Sequence, residues 1–176
     1  MSKIVFYKGR KGSGKTLTMV KDGYQYFKDG RRILRNFNLA FGDPISNEEI
    51  LKLDKFSEVD RCVLMIDEIQ IFFNARRAMQ KANINFSNFI QQIRKRDIIL
   101  LCTAQFSRTI DIIIRENTDI TCNPNFISGL NVCEAVYIDS TNQEDVLLGT
   151  KEPRMVKIVY DAEPLFPLFE TEQMIK

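Results

Sequence analysis

Gly9-Arg10-Lys11-Gly12-Ser13-Gly14-Lys15-Thr16 is the stretch on which the reading of this chain turns. It fills every fixed position of the pattern G-x-x-x-x-G-K-[ST]. Glycines at these places let successive backbone N–H groups point inward at phosphate oxygens. The lysine supplies a cation for the β- and γ-phosphates, and the Thr16 hydroxyl is placed to ligate Mg²⁺. Lys3–Tyr7 before the loop reads as a strand, and Lys15–Lys28 after it as a helix whose positive N-terminal end faces the same phosphates. The expected nucleotide-binding residues are therefore Gly9, Arg10, Lys11, Gly12, Ser13, Gly14, Lys15 and Thr16, with Leu17 at the helix start.

Downstream, Cys62-Val63-Leu64-Met65-Ile66 is an apolar run ending in Asp67-Glu68. Strand ends in open α/β sheets face the ligand crevice. Asp67 is then placed to hold Mg²⁺ through its water shell, and Glu68 to orient or deprotonate an attacking water. The next apolar strand, Ile98–Thr103, leads to Gln105, a polar side chain positioned to sense the γ-phosphate. An adjacent glutamate is the catalytic base of additional-strand ATPases, whereas small-molecule kinases and GTPases do not generally need one. The chain has no N-K-x-D guanine-reading motif, so ATP is expected rather than GTP.

The 176 residues suffice for one well-cored domain and carry 44% hydrophobic and 27% charged residues with a net charge of +2, which excludes disorder and a uniformly polyanion-binding surface. The four cysteines have no C-x-x-C spacing and histidine is absent, so metal-cysteine sites and histidine-based triads are excluded and Cys62, Cys102, Cys122 and Cys133 read as core residues. No apolar run approaches the roughly 20 residues of a membrane helix. Lacking a signal-peptide pattern, the chain is expected to be cytoplasmic.

Strands alternating with helices predict an α/β fold with a mainly parallel sheet flanked by helices. Arg32–Asn36 is a short strand, Pro44 a turn, and Ser46 with Glu49 a capping box on a short helix through Leu53. Phe86, Phe89, Ile90 and Ile93 recur at helical spacing over 85–96, Arg108–Arg115 reads as helical, and Asp119–Cys122 as a short strand. Val132–Asp139 and Met155–Tyr160 predict an antiparallel hairpin joined by the loop Ser140–Glu152. The domain reading is a P-loop ATPase core over residues 1–125, with the hairpin and tail of residues 126–176 packed on it. Asp161–Lys176, with Pro164, Pro167 and its aromatic residues, reads as an extended tail packing on its own domain or on a neighbour.

The phosphate loop, Ile66-Asp67-Glu68-Ile69-Gln70, Gln92-Ile93-Arg94-Lys95-Arg96 and Thr103-Ala104-Gln105 together resemble the FtsK/HerA superfamily of DNA-pumping ATPases. Closest in style are the zonula-occludens-toxin-like proteins of filamentous phages and viral packaging ATPases; the likeness runs from Ile4 to about Thr121. It implies a RecA-like P-loop NTPase of the additional-strand class working as a homo-oligomeric ring on double-stranded DNA, with a virion or capsid protein as a possible partner. It also implies an arginine, Arg94 or else Arg96, acting on the neighbouring subunit's ATP. Phage assembly proteins carry a membrane span after the ATPase domain and none follows here, which tilts the expectation toward genome packaging. Two basic clusters, Lys28-Arg31-Arg32-Arg35 and Arg76-Arg77-Lys81, are candidates for the DNA backbone. The competing readings are a zonula-occludens-toxin-like assembly ATPase, an ATP-binding scaffold without turnover, and a small-molecule kinase. The last would need an arginine-bearing lid, and Ser140–Glu152 contains no arginine.

Overall fold

The computed structural model describes residues 2–51, 60–70, 90, 92–105, 116–141 and 152–169. The expected helix at 108–115, most of the Ser140–Glu152 loop, Phe86 and Phe89, and the Arg76–Lys81 cluster lie outside them. One eight-stranded sheet organises the chain, in the order β3-β2-β4-β5-β1-β6-β7-β8. The strands are β1 (Lys3–Lys8), β2 (Ile33–Arg35), β3 (Asp43–Pro44), β4 (Val63–Ile66), β5 (Ile99–Ala104), β6 (Ile120–Ile127), β7 (Val132–Asp139) and β8 (Met155–Asp161). From β3 to β6 all neighbours are parallel, and β7 and β8 add the expected antiparallel hairpin. The fold is that of a RecA-like P-loop NTPase, with β5 inserted between the strand that leads into the phosphate loop and the strand that ends in the acidic pair.

Period-two alternation assigns side chains to the two faces. Ile4, Phe6, Leu64, Ile66, Leu100 and Cys102 join one core with Ile90 and Ile93. Val5, Tyr7, Val63, Met65 and Leu101 join the other with Leu17, Met19 and Val20 of helix α1 (Lys15–Lys28). β4 and β5 are apolar without alternation because both of their faces are covered. All four cysteines are buried, and burial raises the Cys62 thiol to about 11, so each behaves as a small core residue. The α1 C-terminus closes as a Schellman turn: Gly30 takes a φ of 79°, its N–H bonds Phe27 O at 3.0 Å and the Arg31 N–H bonds Tyr26 O at 3.0 Å.

Three local expectations change. β6 runs from Ile120 through Pro124 to Ile127 rather than stopping at Cys122. It pairs with β1 only as far as Cys122, so Pro124 falls where β7 is its one strand partner and a missing N–H is tolerated. Pro44 belongs to the edge strand β3, paired with β2, rather than to a free turn. Within the expected extended tail, of which residues 170–176 lie outside the described ones, Glu163–Leu168 is a 3₁₀ helix, with Leu165 and Phe169 buried in the α1 core and Leu168 O accepting from Ala40 N at 2.7 Å. The capping box forms as read on α2 (Asn47–Leu51), Glu49 Oε2 accepting from Ser46 N at 2.8 Å and from Ser46 Oγ at 2.6 Å. Those bonds lower the Glu49 pKa.

A polar network fastens the hairpin to α1. Asp22 accepts from Tyr7 at 2.7 Å and from Tyr137 at 2.8 Å, and Thr18 shares a hydrogen bond of 2.8 Å with Tyr160. Burial, then the Asp22 charge, pushes both Tyr7 and Tyr137 above the usual phenol range, so both hydroxyls stay protonated donors. Replacing the acceptor strands the buried Tyr7 hydroxyl and the partly buried one of Tyr137. Asp22→Ala should therefore lose about 3 kcal/mol in urea unfolding; a change within about 0.5 kcal/mol, the scatter of ordinary surface substitutions, would show the network to be dispensable.

Candidate functional site

β1 and β5 end level, Lys8 opposite Ala104, and β4 ends two residues earlier, Ile66 opposite Cys102, so that Asp67 and Glu68 come beside Thr103. The phosphate loop, the acidic pair and Gln105 therefore emerge on one edge of the sheet. The loop is held from below: Phe126 N donates to Ser13 O at 3.1 Å, and Ser13 N to Arg10 O at 3.2 Å. Gly14 has a φ of 88°, and a Cβ there would sit 3.1 Å from Phe126 Cβ and 3.2 Å from Cys133 Sγ, so backbone angle and close packing both require glycine.

The loop suits an anion. The α1 N-terminus has no side-chain cap, which leaves its first N–H groups to the loop's concave side. Ser13 Oγ is buried without a hydrogen-bond partner. Lys15 Nζ, half-buried, donates to Arg10 O at 2.9 Å. Burial lowers its pKa, against the opposing pull of Asp67 and Glu68. A partly desolvated ammonium beside unfilled donors matches the charge of a polyphosphate. Leu17 is a core residue, 1% exposed, so it can face a phosphate only through its main chain.

The acidic pair meets this loop through one oxygen. Asp67 Oδ1 accepts from Thr16 Oγ1 at 3.0 Å and from Thr103 Oγ1 at 2.5 Å. Thr103 Oγ1 in turn accepts the Glu68 N–H at 2.9 Å, and Gln105 Nε2 donates to Glu68 Oε1 at 3.2 Å. Lys15, Thr16, Asp67, Glu68 and Gln105 are thus brought together. The hydroxyl and carboxylate oxygens of Thr16 and Asp67 fit Mg²⁺, which binds through one or two protein oxygens plus substrate phosphates. No group of three or more acidic, cysteine or histidine side chains suited to a metal occurs among the described residues. Two residues at the site were not foreseen, Thr103 and Asn36. Thr103 precedes Gln105 by two and ends the same apolar run, which is its only local signal; Asn36 ends a strand beside the acidic one, and only the sheet order brings it there.

A family model described as zonular occludens toxin (Zot) matches residues 3–125. The chain belongs to the Zot family. Among solved structures it is similar to the N-terminal domain of zonular occludens toxin from Neisseria meningitidis, with 18% identity, a TM-score of 0.64, and coverage of 97% of this chain and 100% of that one. It is also similar to the flagellar accessory protein FlaH from Methanocaldococcus jannaschii (12% identity, TM-score 0.52, 77% and 76% of the two chains). A DnaB-like replicative helicase matches at 10% identity and a TM-score of 0.57, over 90% of this chain and 54% of the helicase. At such identities the structural likenesses establish the fold. A search of curated proteins found no significant match.

Other candidate residues of this Zot-family domain lie away from the loop. Arg94 Nη2 contacts Asp119 Oδ1 at 3.6 Å and Asn117 O at 3.4 Å. Asp119 also binds Ile4 N, so Arg94 sits where β1 begins, at the sheet edge opposite the phosphate loop. Arg96 lies just upstream of β5 (Ile99–Ala104), separated from it by Asp97 and Ile98, on that same edge. In the first basic cluster, Arg35 binds Phe37 O at 2.8 Å and Phe41 O at 3.2 Å, Arg32 lies 3.4 Å from Asp43, Arg31 3.8 Å from Asp97, and Lys28 over the Tyr24 ring. These contacts give the cluster work within the fold. Among the described residues no helix is long and apolar enough to cross a membrane.

The lowered Lys15 pKa carries a sign. The ammonium is the anion-binding form, so ATP affinity should decline as pH rises through a pKa below the ordinary lysine value of 10.5. In Lys15→Ala affinity should drop at least about tenfold, the effect of removing one charge-assisted bond, and the alkaline decline should vanish. Calorimetric titration from pH 7 to beyond the ordinary lysine value of 10.5 checks both; a wild-type affinity flat across that range would contradict the lysine's role.

Proposed function

We propose that this chain hydrolyses ATP as one subunit of a homo-oligomeric ring that moves DNA during virion assembly. What supports it most is the unbroken hydrogen-bonded path from Thr16 through Asp67 and Thr103 to Glu68 and Gln105, reaching from the phosphate loop to a potential base. In this reading Lys15 and the loop N–H groups bind the β- and γ-phosphates, and Thr16 and Asp67 hold Mg²⁺. When bound, the ion offsets phosphate charge. Glu68 accepts a proton from the attacking water or orients it, and Gln105, held by Glu68 in this conformation, exchanges that bond for the γ-phosphate. A phosphate loop alone would serve a scaffold equally well; the adjacent glutamate with its own hydrogen-bonding partners favours turnover.

Arg94 is proposed to act in trans. It cannot reach its own phosphate loop from the opposite edge, its side chain is 55% exposed, and its 3.6 Å ion pair with Asp119 is a contact of the weak surface kind. Arg96 is the second choice. DNA as the moved polymer rests on the FtsK/HerA-like motif set and on the helicase among the structural relatives. The Arg76–Lys81 segment, which follows the acidic pair in sequence, is the proposed backbone contact, and a virion or capsid protein the docking partner. Membership of the Zot family favours assembly and export of the virion over packaging into a preformed shell. The expected setting is the host cytoplasm.

ATP turnover with and without linear double-stranded DNA tests the reading, and the shared site can be tested in the same assay. DNA should stimulate turnover severalfold. Lys15→Ala and Arg94→Ala should each be inactive alone, and mixing them should restore a fraction of wild-type activity, because mixed rings contain intact sites. Turnover indifferent to DNA would remove DNA as the substrate, and mixtures as inactive as their components would remove Arg94 from the neighbour's site.

A further inference from the structure

Glu68 has a φ of 54°, a left-handed backbone that a non-glycine residue adopts at a cost. In a strand, successive side chains point to opposite faces, so an extended continuation of β4 would send Asp67 and Glu68 apart. The left-handed turn instead lets Asp67 meet Thr16 and Glu68 meet Gln105 on one edge. Something has to hold that turn.

The holder is a side chain on the neighbouring strand. β2 pairs with β4 up to Arg35 opposite Met65, and Asn36 N adds one more bond, to Met65 O, at 3.3 Å. Beyond it the Asn36 carboxamide takes over the part of a strand backbone. Its Oδ1 accepts the Asp67 N–H at 2.8 Å, and its Nδ2 donates to Asp67 O at 3.3 Å. Nδ2 also reaches Asn47 Oδ1 at 3.3 Å, and the Asp67 backbone N–H and carbonyl fix which end of the amide is which. From the other side Thr103 Oγ1 accepts the Glu68 N–H at 2.9 Å. The Asp67–Glu68 segment is therefore gripped from both neighbouring strands, and on the β2 side the grip is one carboxamide that contacts neither the phosphate loop nor the Glu68 carboxylate.

We propose that Asn36 is a positioning residue for hydrolysis: its carboxamide clamps the Asp67 peptide and so sets the left-handed turn that aims the Glu68 carboxylate at the phosphate edge. The kinetic consequence rests on the ATPase reading above; the clamp itself does not. Alanine removes both bonds, while Asn36→Asp keeps an acceptor for the Asp67 N–H but turns a second oxygen toward Asp67 O. Both variants should lower kcat at least about tenfold, with KM and the Kd of a non-hydrolysable ATP analogue within about threefold of wild type, since misplacing a group that acts only in the transition state shows in kcat.

Amide hydrogen exchange on the ligand-free protein supplies a readout independent of turnover. In Asn36→Ala the Asp67 amide should exchange at least about tenfold faster, while Leu64 and Leu101 in the strands keep their protection. Wild-type kcat with a protected Asp67 amide would overturn the proposal. So would a parallel fall of kcat and affinity with exchange rising throughout β4 and β5, the mark of a merely structural residue. Should the wild-type chain bind ATP without turning it over, the hydrolytic reading fails separately, and the Asp67 exchange rate alone then decides whether the clamp exists.

Discussion

A single carboxylate oxygen, Asp67 Oδ1, ties the candidate site together. It accepts from Thr16 at the start of α1 and from Thr103 at the end of β5, and so couples the phosphate loop to two central strands. This works only because Asp67, just past the end of β4, flanks Thr103 near the end of β5, which the parallel register of β1, β5 and β4 enforces. The register in turn depends on burial. β4 and β5 are covered on both faces, and slipping either by one residue would exchange the side chains of the two cores.

From that junction outward, the chain keeps its polar groups in matched sets. The phosphate loop rests on β6 through the Ser13–Phe126 backbone bond, and α1 is tied through Asp22 to Tyr7 of β1 and Tyr137 of the hairpin. Strands β6 to β8 are thus part of the loop's foundation rather than an appendage. The terminal 3₁₀ helix seals the far side of the α1 core with Leu165 and Phe169. At the phosphate edge sit a buried Ser13 Oγ without a hydrogen-bond partner and the left-handed Glu68, one of four non-glycine residues with positive φ among the described residues.

How much of this was written in the sequence follows from the range of the interactions involved. The phosphate loop was legible because its chemistry is local: eight consecutive residues carry the glycines, the lysine and the hydroxyl at set intervals. The β4 and β5 runs were legible because double burial removes alternation, and the Ser46–Glu49 box because both partners lie within one helical turn. Pro124 misled, since whether a strand tolerates proline depends on how far its neighbour extends, and β1 gives out at the position before it matters. Asn36 was invisible as a site residue for the same reason. Its partner is 31 residues away, and only the order β2-β4-β5 makes the two adjacent. Residues 163–168 read as extended from their prolines, yet they form a 3₁₀ helix that buries Leu165 and leads into the buried Phe169.

Everything at this edge turns on whether Glu68 does chemistry at a site that Lys15 and Thr16 merely occupy. The most direct measurement is phosphate release from ATP under single-turnover conditions, for wild type beside Glu68→Gln, with nucleotide affinity measured on the same samples. The amide variant should bind ATP as tightly as wild type, or more so, and release phosphate at least about a hundredfold more slowly, about 2.7 kcal/mol of forfeited transition-state stabilisation. Equal rates in the two proteins would contradict a hydrolytic Glu68, because the carboxylate that the whole edge is built to hold would then have no part in the reaction.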